Sequence, residues 1–250
     1  MQVLEALKSI NGNFRRPGDK AVWQKGWAEI DVAFNGDLSV LKPQYIKDDW
    51  CRYNGEYVRM DYWQKDHELR REAFSHIKGD KIIELGCGTG INQALLSETH
   101  KQRLIAADWV ESSQELISKV AGILQRDIKA VNFDMVTLEG WDDLEIDSNS
   151  CVLTVHALEQ VAQWRPLFDK LVASKCLCVH LEPFYELYND ADLMDYLAMM
   201  YHDKRGYFKG FLPAVESLAN EGRADIIKLQ KNRFGNKFHD AYSLLVWKSI

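Results

Sequence analysis

The 250-residue chain carries 31 Lys and Arg against 37 Asp and Glu, a formal net charge of −6, with 46% hydrophobic and 27% charged residues. That balance can fill a sizeable core, and it excludes a disordered chain, a collagen-like repeat and a wholesale nucleic-acid binder. No apolar run approaches the roughly 20 residues of a membrane span. The opening stretch MQVLEALKSINGNFRR lacks the apolar core of a signal peptide, so a cytoplasmic protein is expected.

The charge is uneven. Residues 201–250 hold nine basic and five acidic side chains, a +4 end on a −10 body. Such an end can steer an anion to a pocket, or it can be a solvated basic face. Cys51, Cys87, Cys151, Cys176 and Cys178 lie mostly in apolar runs with no CxxC spacing. They read as buried reduced thiols, and neither a disulfide framework nor a metal site is expected.

In chain order, residues 1–75 read as a helical extension or lid rich in aromatics, with Trp23, Trp27, Trp50, Trp63, Tyr45, Tyr53, Tyr57 and Tyr62. The pattern over 56–76 predicts a helix, ended by Gly79-Asp80. Residues 76–250 then alternate in a way that predicts a doubly wound, mostly parallel sheet with helices on both faces. Strands are expected at Lys81–Leu85, Arg103–Ala107, Ile128–Phe133, Ser150–Val155, Cys176–Leu181, Ala224–Leu229 and Ala241–Trp247. Helices are expected around Ile91–Thr99, Ser112–Leu124 and Trp164–Val172, and 184–222 reads as a helical insert over the ligand edge of the sheet.

The strongest local signal is Glu84-Leu85-Gly86-Cys87-Gly88-Thr89-Gly90, between the first of these strands and a helix. Glycines there permit a tight turn and close approach of the backbone to a ligand at a helix N-terminus. The stretch lacks the Gly-Lys-Ser/Thr of a phosphate-binding loop, and its GxGxG spacing departs from the dinucleotide GxGxxG. Asp108, closing the second strand, can accept hydrogen bonds from both hydroxyls of a ribose. Asp134 can accept from an exocyclic amine, with Met135 packing on the ring.

ELGCGTG, Asp108, Asp134 and the VHALEQV after the fourth strand together resemble class I S-adenosylmethionine-dependent methyltransferases, over about residues 56–250. The resemblance implies a Rossmann-like seven-stranded sheet with a reversed last strand and S-adenosyl-L-methionine across its C-terminal edge. It implies a cofactor site that includes Glu84, with Gly86, Cys87 and Gly88 lining the methionine and ribose portion, Asp108 the ribose, Asp134 and Met135 the adenine, and Trp109 beside the adenosine. Arg59, in the helix expected before the loop, is a partner for the cofactor carboxylate or a surface Arg. Gln160 stands where the family has a His, so no role is carried over to that position.

His156 follows the fourth strand and Glu182 ends the fifth; both are candidates for the proton-handling group of a methyl transfer to a hydroxyl. His180 reads as a core histidine. Tyr62, His202, Arg205, Tyr207, Arg233, Lys237 and His239 suit an anionic small-molecule acceptor, arginine being the better planar donor. The expected function is methyl transfer to an O-acceptor on an anionic metabolite or sugar derivative. The alternatives are methylation of a small amine, an NAD(P)-dependent oxidoreductase, and a non-catalytic member of the fold that binds a partner through its aromatic segment.

Overall fold

The computed structural model describes residues 2–12, 19–42 and 50–250, and Tyr45 lies outside them. Two helices come first: α1 (Gln2–Ile10) and α2 (Lys20–Ala33). The second is capped by Asp19, whose carboxylate accepts from the Ala21 N–H at 2.9 Å.

The segment expected as one helix over 56–76 is a hairpin followed by a shorter helix. β1 (Trp50–Tyr53) and β2 (Glu56–Arg59) pair antiparallel around Asn54-Gly55. Both turn residues have positive φ, 51° and 84°, the geometry in which a two-residue turn matches the twist of its strands. α3 (Tyr62–Phe74) starts after Asp61, whose carboxylate accepts from the Gln64 N–H at 3.1 Å. The first 75 residues are therefore not wholly helical, and Arg59 stands on a strand rather than in the helix before the glycine loop.

From Lys81 the expected alternation holds. β3 (Lys81–Leu85), α4 (Ile91–Thr99), β4 (Arg103–Asp108), α5 (Glu111–Leu124) and β5 (Ile128–Asn132) are followed by β6 (Ser150–Val155), α6 (Arg165–Ser174) and β7 (Leu177–Glu182). Then come α7 (Leu193–Arg205), α8 (Phe211–Asn220), β8 (Ala224–Gln230), the short β9 (Phe234–Gly235) and β10 (Ser243–Ser249). The main sheet runs β5-β4-β3-β6-β7-β10-β8, and β10 is antiparallel to both of its neighbours. This is the seven-stranded, mostly parallel sheet with one reversed strand that the sequence predicts. β9 pairs with β1 to make a second, three-stranded sheet, β2-β1-β9.

Apolar side chains from the two faces of the main sheet form two cores. Trp247 on β10 is fully buried and stacks on Phe168 of α6 at 5.6 Å between centroids. His180 is a core residue, paired through Nδ1 with Thr154 Oγ1 at 2.9 Å, and burial lowers its pKa to about 3. All five cysteines are buried free thiols.

The expected insert divides in two. α8 packs against β8, and Phe211, Leu212 and Val215 belong to the same core as Trp247, so α8 is a layer of the sheet. α7 instead packs against α1, with Ile10, Leu197, Tyr201 and Tyr207 in a separate small core. α2 lies along α5, held by Lys119 to Asp31 at 2.6 Å and Ser112 Oγ to the Gln24 carbonyl at 2.9 Å.

Candidate functional site

The parallel strands β3, β4, β6 and β7 end at one edge, and some of the residues singled out from the sequence lie there: the glycine loop after β3, Asp108 on β4, His156 after β6 and Glu182 on β7. At the end of β3 the chain turns back tightly: the Gly86 and Cys87 N–H groups both donate to the Ala107 carbonyl, at 2.8 and 3.0 Å. Gly86, Gly88 and Gly90 all have positive φ. A Cβ at Gly86 would collide with the Cβ of Ala157, in the turn after β6. The loop therefore needs glycine for close packing as well as for conformation.

Asp108 closes β4 and is 6% exposed. One carboxylate oxygen accepts from the Gly88 N–H at 3.0 Å, the other from the Val110 N–H at 3.3 Å. Burial raises its pKa to about 6, against the opposing pull of those N–H groups. Ser113 Oγ donates to the Gly88 carbonyl at 2.6 Å, so the Gly88 peptide is fixed at both ends. The N-terminal segment reaches this loop. Trp27 of α2 lies within 3.2 Å of where a Gly88 Cβ would stand, and Thr89 Oγ1 donates to the Leu41 carbonyl at 2.7 Å.

Glu84 is buried, and its two oxygens accept from Asn92 Nδ2 and Gln93 Nε2, each at 2.6 Å, which ties α4 to β3. Burial raises its pKa to about 7. The Cys87 thiol is likewise pushed up by burial and stays protonated. Asp134 accepts from the Val136 N–H at 2.7 Å. Met135 carries its terminal methyl to within 3.5 Å of the Cβ position of Gly86, and Trp109 is half-buried beside Asp108. Arg59 is exposed, its guanidinium 4.9 Å from the centre of the Trp50 ring. The structure thus brings Gly86, Gly88, Asp108 and Met135 together and leaves Arg59 on the outer hairpin.

A buried polar chain supports the site from behind. Arg70 binds Asp66 through two bonds of 2.7 and 2.9 Å and Asn92 Oδ1 at 2.6 Å. Tyr242 donates to Asp66 and accepts from Tyr62 at 3.1 Å. Tyr62 is therefore part of this chain. Tyr242→Phe removes a donor to a buried carboxylate, and a loss of about 2 kcal/mol of stability is expected, read by urea unfolding.

On the other side of the glycine loop lies the turn after β6. His156 has φ of 53°, a left-handed conformation costly for most residues and better tolerated by Asn, Asp and His. Its ring sits edge-on to Tyr242 at 4.4 Å, and its Nδ1 is 3.6 Å from Glu159 Oε2. Glu182 at the end of β7 accepts from the Ala157 and Leu158 N–H groups at 3.0 Å and from the Glu159 N–H at 3.2 Å. Burial, then the Glu159 carboxylate, raises its pKa to about 7. Glu182 thus anchors the 157–159 turn and holds His156 and Glu159 in place. Sequence reasoning passed over Glu159; its signal was the helical turn that brings position 159 back to 156.

The insert cluster divides as well. His202 and His239 share a hydrogen bond of 3.0 Å, and Tyr188 lies 3.4 Å from His202. Burial holds His202 at about 3 and His239 well below its usual range, so this pair is neutral at neutral pH rather than cationic. Arg205 donates to Tyr207 at 3.3 Å, and the Glu159 charge acts on both. Arg233 faces Asp192, Asp195 and Asp240 at 3.3, 3.7 and 3.9 Å. Fully buried Arg52 lies 3.3 Å from Asp240 in the same network. Lys237 accepts from Tyr57 through its carbonyl at 2.8 Å. Arg205, Tyr207, His202 and His239 come together, while Arg233 is committed to carboxylates. Its partners on α7 lie some 40 residues away in sequence.

No family model and no curated protein matches this chain. Solved structures do. The N-methyltransferase NodS from Bradyrhizobium japonicum WM9, in complex with S-adenosyl-L-homocysteine, aligns with a TM-score of 0.53 and 14% identity, over 90% of this chain and 98% of that one. The methyltransferase domain of bacterial CtHen1 gives 0.52 and 12%, over 75% and 100%. An O-methyltransferase family protein from Burkholderia thailandensis gives 0.51 and 13%, over 74% and 55%. With this sheet order and one reversed strand, the chain has the fold of class I S-adenosylmethionine-dependent methyltransferases.

Proposed function

We propose that this chain binds S-adenosyl-L-methionine and transfers its methyl group to a small-molecule acceptor, an oxygen on an anionic metabolite or sugar derivative. The observation that carries the reading is Asp108, a buried carboxylate at a strand end whose two backbone donors leave lone pairs for a vicinal diol. The residues around it fit the cofactor: Gly86, Cys87 and Gly88 offer backbone, Trp109 and Met135 apolar surface, and Asp134 an acceptor for an amine. When bound, the sulfonium supplies an already activated methyl group. The chain's part is to align the acceptor and exclude water. Trp27 at Gly88 and α1 on α7 support a lid role for the N-terminal segment and for α7.

His156 is the candidate to take a hydroxyl proton, since its Nε2 has no hydrogen-bond partner among the described residues. Arg205, beside Tyr207, is the candidate anchor for an anionic group. An amine acceptor is the second reading, favoured by the Glu159 carboxylate 3.6 Å from His156. Calorimetric titration with S-adenosyl-L-homocysteine is expected to show one site per chain. No heat with that ligand, together with saturable binding of NADH, would sink the proposal and favour the oxidoreductase reading.

A further inference from the structure

We propose that His156, Glu159 and Glu182 form a binding site for a first-row divalent cation such as Mn²⁺. One ligand atom from each of these residues lies within 4.8 Å of the other two, a spacing that a single ion can bridge. The residues come from two strand ends: His156 and Glu159 from the turn after β6, Glu182 from β7.

The strongest sign of a missing ligand is Glu159. Its side chain is 6% exposed, and its Oε2, pointing at His156, has no hydrogen-bond partner among the described residues. A buried carboxylate oxygen without a donor costs on the order of 1–3 kcal/mol or more. A second carboxylate, Glu182, lies beside it in the same buried space. Two carboxylates and an imidazole converging in so small a space are the donor set of a cation site.

The ligand shell is held in place before any ion arrives. Three backbone N–H groups fix Glu182. Gln160 Nε2 donates to the His156 carbonyl at 3.1 Å, and the Phe208 N–H donates to the Glu159 carbonyl at 2.8 Å. The bonds to the Glu182 carboxylate are of the kind that commonly orient a metal-ligating carboxylate, and the other two fix the backbone that carries His156 and Glu159. One imidazole with two carboxylates is a mixed nitrogen and oxygen set, which suits Mn²⁺, Fe²⁺ or Zn²⁺ better than Ca²⁺. Three protein ligands would leave further coordination positions of such an ion to water or another ligand. The competing counter-charge is Arg205, whose guanidinium feels Glu159.

Binding of the ion does not depend on the methyltransferase reading, but the two uses of His156 exclude each other: with the ion bound it is a ligand and not the acceptor of a hydroxyl proton. The test takes the whole chain, stripped with EDTA, and titrates it with MnCl₂ while the signal of free aqueous Mn²⁺ is followed by electron paramagnetic resonance. One Mn²⁺ per chain is expected, with affinity lowered about tenfold or more in Glu159→Gln and in His156→Asn. Asn is chosen because it tolerates the left-handed backbone at position 156, and circular dichroism checks that both variants fold. No Mn²⁺ uptake by the wild type overturns the proposal. Equal uptake by both folded variants also overturns it, by placing the ion elsewhere. Binding of S-adenosyl-L-homocysteine by the wild type, measured separately, reports on the methyltransferase reading alone.

Discussion

Asp108→Ala is expected to weaken binding of S-adenosyl-L-homocysteine by about 100-fold. Hydrogen bonds to a charged group each contribute about 1.5–3 kcal/mol. Losing two of them to a ribose diol amounts to roughly 3 kcal/mol, or two decades in Kd. The fold is expected to tolerate the change, because the carboxylate is costly to bury: its pKa is raised to about 6 by desolvation. A raised carboxyl binds its proton more readily in the folded state than in the unfolded one. Its ionised form therefore destabilises the fold as pH rises from about 4 to 6, and removing it relieves that cost. The same shift predicts a pH dependence of binding. If the carboxylate is the acceptor, affinity is constant above pH 6 and falls by up to about tenfold per unit below it. Calorimetry across pH 5 to 8 reads both effects, and a flat profile in the wild type would remove Asp108 from the site.

Gly86→Ala is expected to be the most damaging single change at the loop, lowering stability by about 3 kcal/mol or more and abolishing cofactor binding. Two costs add. A non-glycine residue in the left-handed region costs about 1–2 kcal/mol, and φ there is 75°. The new methyl would also meet Ala157, whose own backbone is pinned through Glu182 and cannot yield freely. Gly90→Ala makes the comparison sharp. Its φ is 80°, but the close contact of its Cβ would be with Ile117 Cδ1, at 2.6 Å, the end of a side chain that can rotate, with Val120 Cγ2 at an ordinary 3.8 Å. Urea unfolding should rank Gly86→Ala well below Gly90→Ala, and equal losses would mean that the turn after β6 does not brace the loop.

The parts of the molecule legible in the sequence are those written locally. β3 runs into the glycine loop, β4 ends in Asp108, and apolar strands alternate with helical periodicity, so the order of the sheet could be read from the sequence. The hairpin at 50–59 carried its own signal, Asn54-Gly55, but the charged stretch that follows has a helical pattern and masked it. α8 reads from the sequence as part of the insert because its apolar residues lie in a long interruption of the strand pattern, although they face the sheet. The residues expected to hold an anion are least legible, because their chemistry depends on distant partners. Arg233 looks like an anion receptor until Asp192, Asp195 and Asp240 close around it. His202 and His239 look cationic until burial and their mutual bond make them neutral.

The reversed strand also has a kinetic meaning. β10 lies between β7 and β8, yet it follows both in the chain. Until it arrives, β7 presents an open edge with unpaired N–H and C=O groups, and β8 has no neighbour to join. The last two strands must therefore dock out of sequence order, against a half-sheet that is already formed. Long-range closures of this kind slow folding and prolong exposure of a sticky edge. A substitution that weakens β10, with Trp247 at its centre, is expected to reduce the yield of folded protein before it alters the chemistry at the far ends of the parallel strands.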